Sequence, residues 1–486
     1  MHITSLPGKY GIGTMGREAY GFVDFLIESG QKLWQILPLG HTGYGDSPYQ
    51  CFSAFAGNPL LIDLDRLAEQ QLLREADLPT QKHFNEDKVE YGEVFQYKYP
   101  LLKKAFDNFR KSNNKVRLMQ FETFCLKNIS WLEDYAFFMA LKDHFGGKPW
   151  TQWDEAIKLR QPDAMQRYQA YLKDDTDFYR FLQFLFYRQW QELKAYANIN
   201  DIKVIGDIPL YVAFDSADAW ANPEKFDFDE RRNPRTVAGV PPDYFSATGQ
   251  LWGNPIYKWD YLQETGFSWW IERIQANFQL YDILRIDHFR GLAAYWAVPF
   301  GETTAIKGKW IPAPGQAVLQ AVFDALGDKP IIAEDLGLIT PDVVELRKKF
   351  DLPGMKILQF AFDSGEENDF MPHTFDKNCV VYTGTHDNDT TLGQYLAASE
   401  QDKQLMHQYF HVDAADPAWS FIKLAWSTVA NVAIAPMQDI LRLDSQARMN
   451  FPGKASGYWS WRYRKDMLTG KHAEGLLHLT KLYGRR

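Results

Sequence analysis

The sequence predicts an α/β fold, a (β/α)8 TIM barrel that carries helical and loop insertions on its C-terminal rim. Eight apolar runs of strand length recur along the chain, and helix-patterned segments separate several of them. Most runs end in polar or glycine residues, which is typical of the functional rim of a parallel barrel. An open doubly wound sheet has a similar pattern and stays the alternative.

The elements are expected in a regular order along the chain. The strand-length runs lie at 2–4, 32–40, 202–211, 282–291, 330–337, 355–362, 379–389 and 431–441. Helical periodicity appears at 17–30, 267–281, 315–327 and 341–350. Because the chain starts at Met1-His2, the first strand is expected to be largely truncated, which leaves one barrel edge unpaired.

Two connections are longer than a barrel needs, within what we expect to be a single catalytic barrel over 1–486. Residues 61–197 have aromatic and apolar residues at helical spacing, which predicts a mainly helical insertion. Residues 214–265 are rich in Pro, Gly, Asn and aromatic residues, which predicts a loop-rich insertion. Within it, 239–255 is expected to be a long irregular loop that acts as a substrate lid.

Composition excludes several classes of protein. The 486 residues include 53 basic and 62 acidic side chains, and the net charge of −9 disfavours nucleic acid and anionic membranes as partners. The three scattered cysteines cannot form a disulfide framework, and no window approaches the length of an apolar membrane span, so a cytoplasmic location is expected. Aromatic residues make up 15%, which favours a surface that grips a flat, partly apolar ligand.

Three runs end in a carboxylate that can carry chemistry: Asp287, Glu334 and Asp387. On a parallel barrel these strand ends share one rim, so the carboxylates converge. Any one of them alone is more typical of a helix cap or a structural ion pair, and the three together favour a catalytic site. Two carboxyl groups of different protonation, about 5 Å apart, are the equipment of retaining glycoside chemistry.

Neighbouring residues suggest the role of each carboxylate. Arg285, two residues before Asp287, is expected to depress its pKa and keep this nucleophile ionised. Glu334, close to an ionised carboxylate in a partly desolvated cleft, is expected to have a raised pKa and to act as general acid. Asp387, between His386 and Asn388, is expected to bind sugar hydroxyls and stabilise the transition state.

Asp335 is a separate case because it should point away from its neighbour on the strand. It is interpreted either as a group that binds sugar hydroxyls or supports the site, or as a helix cap.

Cofactor and metal motifs carry little weight in this chain. The Gly11–Gly16 segment matches G-x-G-x-x-G, but it lacks both the preceding strand and the later acidic residue of a dinucleotide site. H-E-x-x-H, C-x-x-C and phosphate-loop motifs are absent from the sequence. His407 and His411 are interpreted as residues of a solvated helix face. No cofactor and no metal is expected.

Aromatic residues on two glycine- and proline-rich segments fit sugar binding. Tyr44 and Tyr49 follow the second run, while Tyr244, Phe245 and Trp252 lie on the long loop. Rings above a carboxylate rim suit stacking on pyranose faces, and turns packed on the core are the alternative.

The chain resembles the 4-alpha-glucanotransferases, or amylomaltases, of glycoside hydrolase family seventy-seven. The resemblance extends from His2 almost to the C-terminus through motifs such as TSLPGKYGIG, GHTGYGDSPYQCFSAFAGNP, RIDHFRG, AEDLG, YTGTHDNDT and RMNFPGKASGYWSWR. It implies a retaining barrel of the α-amylase type without a C-terminal β-domain. It also implies Asp287 as nucleophile, Glu334 as acid/base and Asp387 as transition-state stabiliser.

The resemblance further implies two sets of binding residues. The subsite of the cleaved sugar would be lined by Arg285, His288, His386, Tyr49 and Asn388. The path of the glucan would be flanked by Tyr44, Asp46, Ser47, Gln250, Trp252 and Asn450.

The expected function is therefore transfer of an α-1,4-glucan segment to the 4-hydroxyl of another glucan or of glucose, by a retaining double displacement. The expected partners are maltooligosaccharides, amylose or glycogen-derived glucans. Hydrolysis of α-1,4-glucans is the alternative within enzymes, because the same carboxylates serve both reactions. A glucan-binding scaffold with a dead site and a nicotinamide enzyme are the alternatives from other classes. The oligomeric state stays open, and a monomer fits the sequence.

Overall fold

The computed structural model describes residues 1–43, 45–78, 83–242, 246–362, 368–454 and 456–485. Its strands are β1 (Leu33–Gln35), β2 (Lys203–Ile208), β3 (Thr236–Val240), β4 (Gln250–Pro255), β5 (Ile283–Ile286), β6 (Ala294–Pro299), β7 (Lys309–Pro312), β8 (Ile331–Ala333), β9 (Gly354–Ile357), β10 (Cys379–Tyr382) and β11 (Val432–Ile434).

Parallel strands form the centre of the molecule. One parallel sheet has the order β1-β2-β5-β8 and a second has the order β9-β10-β11. The Ala333 amide donates to the Pro353 carbonyl at 2.9 Å, which connects the end of β8 to the chain entering β9. These seven strands lie in seven of the eight predicted runs, in the predicted order, and their buried faces explain why the runs are continuously apolar.

The predicted strand at 2–4 is wrong. Residues Ile3–Ser5 form a 3-10 helix, because the amides of Ser5 and Leu6 donate to the carbonyls of His2 and Ile3. The amino group of Met1 donates to the Gln35 carbonyl at 3.1 Å, so the amino-terminal end of the chain lies against β1.

Eighteen α-helices surround the strands within the described ranges. They are α1 (Arg17–Glu28), α2 (Leu64–Glu69), α3 (Tyr91–Lys111), α4 (Lys115–Lys127), α5 (Ile129–His144), α6 (Glu155–Lys158), α7 (Pro162–Tyr171), α8 (Lys173–Ile199), α9 (Ala217–Ala221), α10 (Trp259–Glu264), α11 (Ser268–Leu280), α12 (Gly315–Leu326), α13 (Pro341–Lys349), α14 (Thr391–Ala397), α15 (Glu400–Phe410), α16 (Pro417–Ser427), α17 (Met437–Ile440) and α18 (Gly470–Leu482). The four helices predicted from periodicity are confirmed as α1, α11, α12 and α13.

Helices α2 to α8 form a long helical insertion between β1 and β2. It is attached to the rest of the protein by a buried ion pair: Lys142 on α5 donates to Asp215, in the segment after β2, at 2.5 Å. The Lys142 ammonium also lies 4.8 Å from the centre of the Phe52 ring. A charge buried in this way is stabilised by its partner carboxylate and by the aromatic ring.

The segment 239–255 differs from the irregular loop that was predicted. Its two ends, 239–240 and 250–255, belong to β3 and β4, which pair in an antiparallel sheet of order β4-β3-β6-β7. A Cβ at Gly239 would lie 2.4 Å from the Gln250 carbonyl oxygen, so only glycine allows the two strands to approach here. This sheet puts a rigid wall beside the carboxyl ends of the parallel strands.

No helix within the described residues combines the length and the apolar character needed to cross a membrane.

Candidate active site

The pairing of β5 with β8 brings two predicted catalytic carboxylates together. Ile286 is in register with Ala333, so Asp287 and Glu334 follow directly at neighbouring strand ends. The Phe289 amide donates to the Glu334 carbonyl at 3.1 Å and continues this contact beyond the strands. Adjacent strands lie about 4.8 Å apart, which is close to the separation of about 5 Å between the two carboxyl groups of retaining glycosidases.

Arg285 is buried beneath Asp287 and bonds two carboxylates. Its Nη1 donates to Asp287 at 3.0 Å, as the two-residue spacing predicts, and to Asp207 on β2 at 2.5 Å. Sequence reasoning missed Asp207, although it is the single acidic residue in the apolar run 202–211 and lies on a neighbouring strand. Such a lone carboxylate inside a buried strand needs a cationic partner, and Arg285 is that partner.

The predicted depression of the Asp287 pKa is wrong. Burial, together with the charges of Asp207 and Asp387, raises the pKa of Asp287 to about 7. The Arg285 guanidinium acts in the opposite direction without overcoming burial, and it shares its charge with Asp207.

The raised pKa predicted for Glu334 is confirmed. Burial, together with the charge of Asp287, raises it to about 8, while Arg285 and the His288 amide oppose the shift. Two backbone amides bind the carboxyl group: His288 N–H donates to Oε2 at 2.6 Å and Leu336 N–H donates to Oε1 at 3.1 Å. As pH rises, Asp287 ionises before Glu334, so an ionised carboxylate beside a protonated one is an accessible state of the pair.

Asp387 lies in the loop after β10, five residues beyond Tyr382, and is half-exposed. Its Oδ1 accepts a hydrogen bond from Asn450 Nδ2 at 2.6 Å and lies 3.5 Å from His386 Nε2. Arg448 donates to the Asp387 carbonyl at 2.7 Å. Asn450 is thereby placed beside the third carboxylate, and the contacts of the described residues leave the second oxygen of Asp387 for a ligand.

Three aromatic residues pack together beside this carboxylate. The Tyr49 and His386 rings are stacked with centroids 5.2 Å apart, and Trp459 lies 5.7 Å from Tyr49 and 5.6 Å from His386. Sequence reasoning missed Trp459, and its signal was the aromatic run at 458–461 inside the RMNFPGKASGYWSWR motif. Burial lowers the pKa of His386, so its imidazole is neutral near neutral pH.

The antiparallel sheet contributes the opposite side of the site. Trp252 on β4 packs edge-on against the His288 ring at 4.8 Å, and its indole N–H donates to Gln250 Oε1 at 3.1 Å. His288, Trp252 and Gln250 are therefore brought together next to Asp287 and Glu334, whereas their contacts with a glucan stay a prediction.

The side chains of two predicted binding residues already form hydrogen bonds or ion pairs within the protein. Asp335 points away from Glu334, accepts from the Met355 amide at 2.7 Å and pairs with Arg347 at 3.0 Å. These contacts favour the structural interpretation of Asp335 over the sugar-binding one. The side-chain oxygen of Asn388 accepts from the amide and hydroxyl of Thr385 at 2.9 and 2.8 Å, so only its NH₂ group remains for a ligand.

The loop after β1 contains the predicted binding residues Asp46, Ser47 and Tyr49 and forms a tight turn. Asp46 has a left-handed backbone with φ of 59°, and burial raises its pKa to about 6. Ser47 Oγ accepts from the Tyr49 amide at 3.3 Å and so shapes the turn that presents the Tyr49 ring. The predicted residues Tyr44, Tyr244 and Phe245 lie outside the described residues.

Among the described residues, no group of three or more His, Cys, Asp or Glu side chains could hold a metal ion. The site instead contains an ionisable carboxylate pair, a third carboxylate and a border of aromatic rings. This arrangement can form and break a covalent glycosyl ester: one carboxylate attacks while the other gives and takes a proton.

Comparison with known proteins identifies relatives of the whole chain. A family model described as 4-alpha-glucanotransferase matches residues 1–469. A 4-alpha-glucanotransferase of Synechocystis is 52% identical, covering 100% of this chain and 97% of that protein, and one of Thermus thermophilus is 49% identical, covering 98% and 96%. The solved structure of an amylomaltase from Streptococcus agalactiae in complex with acarbose superposes with a TM-score of 0.97 at 43% identity, covering 100% of this chain and 98% of that one.

Proposed function

Because the chain belongs to the 4-alpha-glucanotransferase family, glycoside hydrolase family seventy-seven, we propose a specific role for each group of the site. The chain is an enzyme that transfers segments of α-1,4-glucans. The resemblance inferred from the sequence motifs is thereby confirmed, and the hydrolase alternative is not favoured. The nicotinamide and scaffold alternatives have no support in these relatives.

Asp287 is the proposed nucleophile. Its carboxylate attacks the anomeric carbon of a glucosyl unit, and the bond to the departing glucan breaks as the ester to Asp287 forms. Glu334, which burial keeps protonated to a higher pH than Asp287, donates its proton to the departing glycosidic oxygen. Arg285 keeps Asp287 oriented through the 3.0 Å bond to Oδ1.

The second step reverses the first with a different hydroxyl group. The 4-hydroxyl of an acceptor glucan gives its proton to the Glu334 carboxylate, its oxygen attacks the anomeric carbon, and the ester to Asp287 breaks. Two displacements at one carbon retain the α-configuration. Asp387, oriented by Asn450, is proposed to bind sugar hydroxyls and to stabilise the positive charge that develops on the ring.

The observation that supports this proposal is the β5–β8 register, because it puts Asp287 and Glu334 directly after two adjacent strand ends. Transfer requires that a sugar hydroxyl compete with water for the ester. We propose that Trp252, opposite the carboxylates, binds the acceptor and limits water, which gives the region 239–255 its role as a lid.

Incubation with maltotriose alone tests the proposal. Glucose together with maltopentaose and longer oligomers is the expected result, whereas maltose and glucose with nothing longer would indicate hydrolysis. Asp287→Asn removes the nucleophile at nearly constant volume and should lower the rate by about 10⁴-fold or more while the protein stays folded. An Asp335→Asn variant, at a carboxylate that the fold already occupies, is the matched control and should retain turnover. Retained activity in Asp287→Asn would contradict its assignment.

We also propose a cytoplasmic location, supported by three free and scattered cysteines, which suit a reducing compartment. A single chain carries every side chain named in the mechanism, which supports a monomer as the active form.

A further inference from the structure

His288 is one of eleven non-glycine residues with a positive φ in the described part of the chain. Its φ of 49° and ψ of 47° lie in the left-handed region, which glycine and asparagine enter readily and β-branched residues do not. Such conformations persist only where surrounding contacts enforce them, and they concentrate at functional sites. The cause and the consequence of this conformation are both visible in the neighbouring residues.

Contacts on each side hold the turn at His288. The Gly291 amide donates to the His288 carbonyl at 2.9 Å, and the next amide, of Phe289, donates to the Glu334 carbonyl at 3.1 Å. A Cβ at Gly291 would lie 2.2 Å from the Leu210 side chain and 3.0 Å from the His288 ring, so the turn has no room to shift. Trp252 closes the remaining side of the ring at 4.8 Å.

The consequence is the direction of the His288 amide. Its N–H donates to Glu334 Oε2 at 2.6 Å, which is shorter than the 3.1 Å bond from Leu336 N–H to Oε1. Short hydrogen bonds from an amide to a carboxylate are the stronger ones. The two amides come from different loops and grip different oxygens, so together they fix the plane of the carboxyl group.

We propose that His288 is a positioning residue whose left-handed backbone aims its amide at Glu334 Oε2 and holds the acid/base carboxyl in one orientation, with Oε1 carrying the transferable proton. The inference rests on the proposed role of Glu334 as acid/base. The positioning role belongs to the backbone amide of His288 and not to its imidazole. Replacing the side chain alone and disturbing the backbone should therefore have different effects.

A series at position 288 separates the two contributions. His288→Asn, His288→Gly and His288→Val all lack the imidazole, but only asparagine and glycine tolerate the left-handed region. Two donors are compared: maltotriose, whose departing glucan needs a proton from Glu334, and α-maltotriosyl fluoride, whose departing fluoride does not. The initial burst of fluoride release reports formation of the glycosyl-enzyme without acid catalysis.

The expected result is a loss that depends on the donor. His288→Val should turn over maltotriose about tenfold or more below His288→Asn, with fluoride bursts within about twofold of each other. The basic limb of its pH profile should move to higher pH, because the lost amide bond favoured ionised Glu334. Equal rates of the valine and asparagine variants on maltotriose, or equal losses on both donors, would overturn the proposal.

Two further variants keep the test decisive. If His288→Val fails to fold, the α-hydroxy acid analogue of histidine at position 288 removes only the N–H group, and the same donor-dependent loss is expected of it. Glu334→Ala should lose maltotriose turnover and keep the fluoride burst. Loss of both activities in a folded Glu334→Ala protein would refute the acid/base role itself, whereas the valine–asparagine comparison refutes the positioning role alone.

Discussion

The hydroxyl group of Tyr49 donates a 2.7 Å hydrogen bond to Asp207, which joins the loop after β1 to the end of β2. The same Asp207 oxygen accepts from Arg285, and the Tyr49 ring stacks on His386. One buried carboxylate therefore links an aromatic wall of the cleft to Arg285, which donates to the proposed nucleophile Asp287. The other oxygen of Asp207 has no partner among the described residues. The hydrogen bonds from Tyr49 and Arg285 are therefore the contacts that stabilise this buried charge.

Tyr49→Phe should destabilise the protein although it keeps the aromatic ring. The buried Asp207 carboxylate would keep only Arg285, and losing a hydrogen bond to a charged group costs about 1.5–3 kcal/mol in the free energy of unfolding. Urea denaturation measures this loss. Tyr171→Phe, at an exposed tyrosine, is the matched control and should change stability by less than about 0.5 kcal/mol. A Tyr49→Phe protein as stable as the control would show that the bond contributes nothing.

The pH dependence of kcat/KM for maltotriose should be bell-shaped, with its maximum between the pKa values of Asp287 and Glu334. Activity rises as Asp287, with a pKa of about 7, loses its proton, and it falls as Glu334, with a pKa of about 8, does the same. Initial rates from about pH 4 to about pH 10 would define both limbs, which belong to the coupled pair. An acid limb near about pH 4, where exposed carboxyl groups titrate, would contradict the effect of burial.

Glu334→Gln should gain stability relative to the wild type as pH rises. Folding raises the pKa of Glu334 from 4.5 to about 8, so its stabilising contribution is complete below 4.5 and is lost as pH increases through 8. Glutamine does not titrate and avoids this loss. Thermal unfolding at a series of pH values measures the difference in Tm, and the exposed Glu264→Gln serves as the control with no trend expected. A Tm difference independent of pH would refute the linkage.

Lys142→Met should lower the free energy of unfolding, because Lys142 attaches the helical insertion α2–α8 to the segment after β2. It leaves Asp215 half-buried with the Trp150 amide, at 3.2 Å, as its remaining hydrogen-bond donor among the described contacts. Breaking such a pair costs about 3 kcal/mol, and adding Asp215→Asn should recover part of that loss. Equilibrium unfolding of the two single variants and the double variant gives the coupling energy. Lys465→Met, which breaks an exposed pair with Glu18, should cost less than about 1 kcal/mol.

Trp252→Ala should shift the products from transfer toward hydrolysis. Losing an aromatic contact worth about 1 kcal/mol to the acceptor would raise the fraction of hydrolysis about fivefold. Product lengths from maltotriose measure the ratio, and Trp252→Phe, which keeps a ring, should stay close to the wild type. An unchanged ratio of transfer to hydrolysis in Trp252→Ala would contradict the proposed role of Trp252 in acceptor binding.

The strands and the proposed catalytic carboxylates are readable in the sequence because parallel strands are buried on both faces. Their runs are continuously apolar, so a polar residue such as Asp287 or Glu334 marks the end of each strand. The same reasoning had the means to find Asp207, which interrupts one run. It could not give the pKa of Asp287, because the adjacent Arg285 is visible in the sequence while burial and the competing Asp207 are features of the fold.

The hairpin in 239–255 escaped prediction for a local reason. Gly239 and Gly249 are typical of loops, yet here glycine permits close pairing at one position and a positive φ of 68° at the other. Sequence composition cannot distinguish a glycine that bends the chain from one that lets two strands approach.

The chemistry and the walls of the cleft come from different sheets. The proposed nucleophile Asp287 and the proposed acid/base Glu334 directly follow parallel strands β5 and β8, whereas Trp252 and Gln250 belong to the antiparallel sheet of β3, β4, β6 and β7. Their meeting point is the contact between the Trp252 and His288 rings. Substitutions on β3 and β4 can therefore change which glucans are accepted, over evolution or by engineering, while the bond-breaking apparatus stays constant.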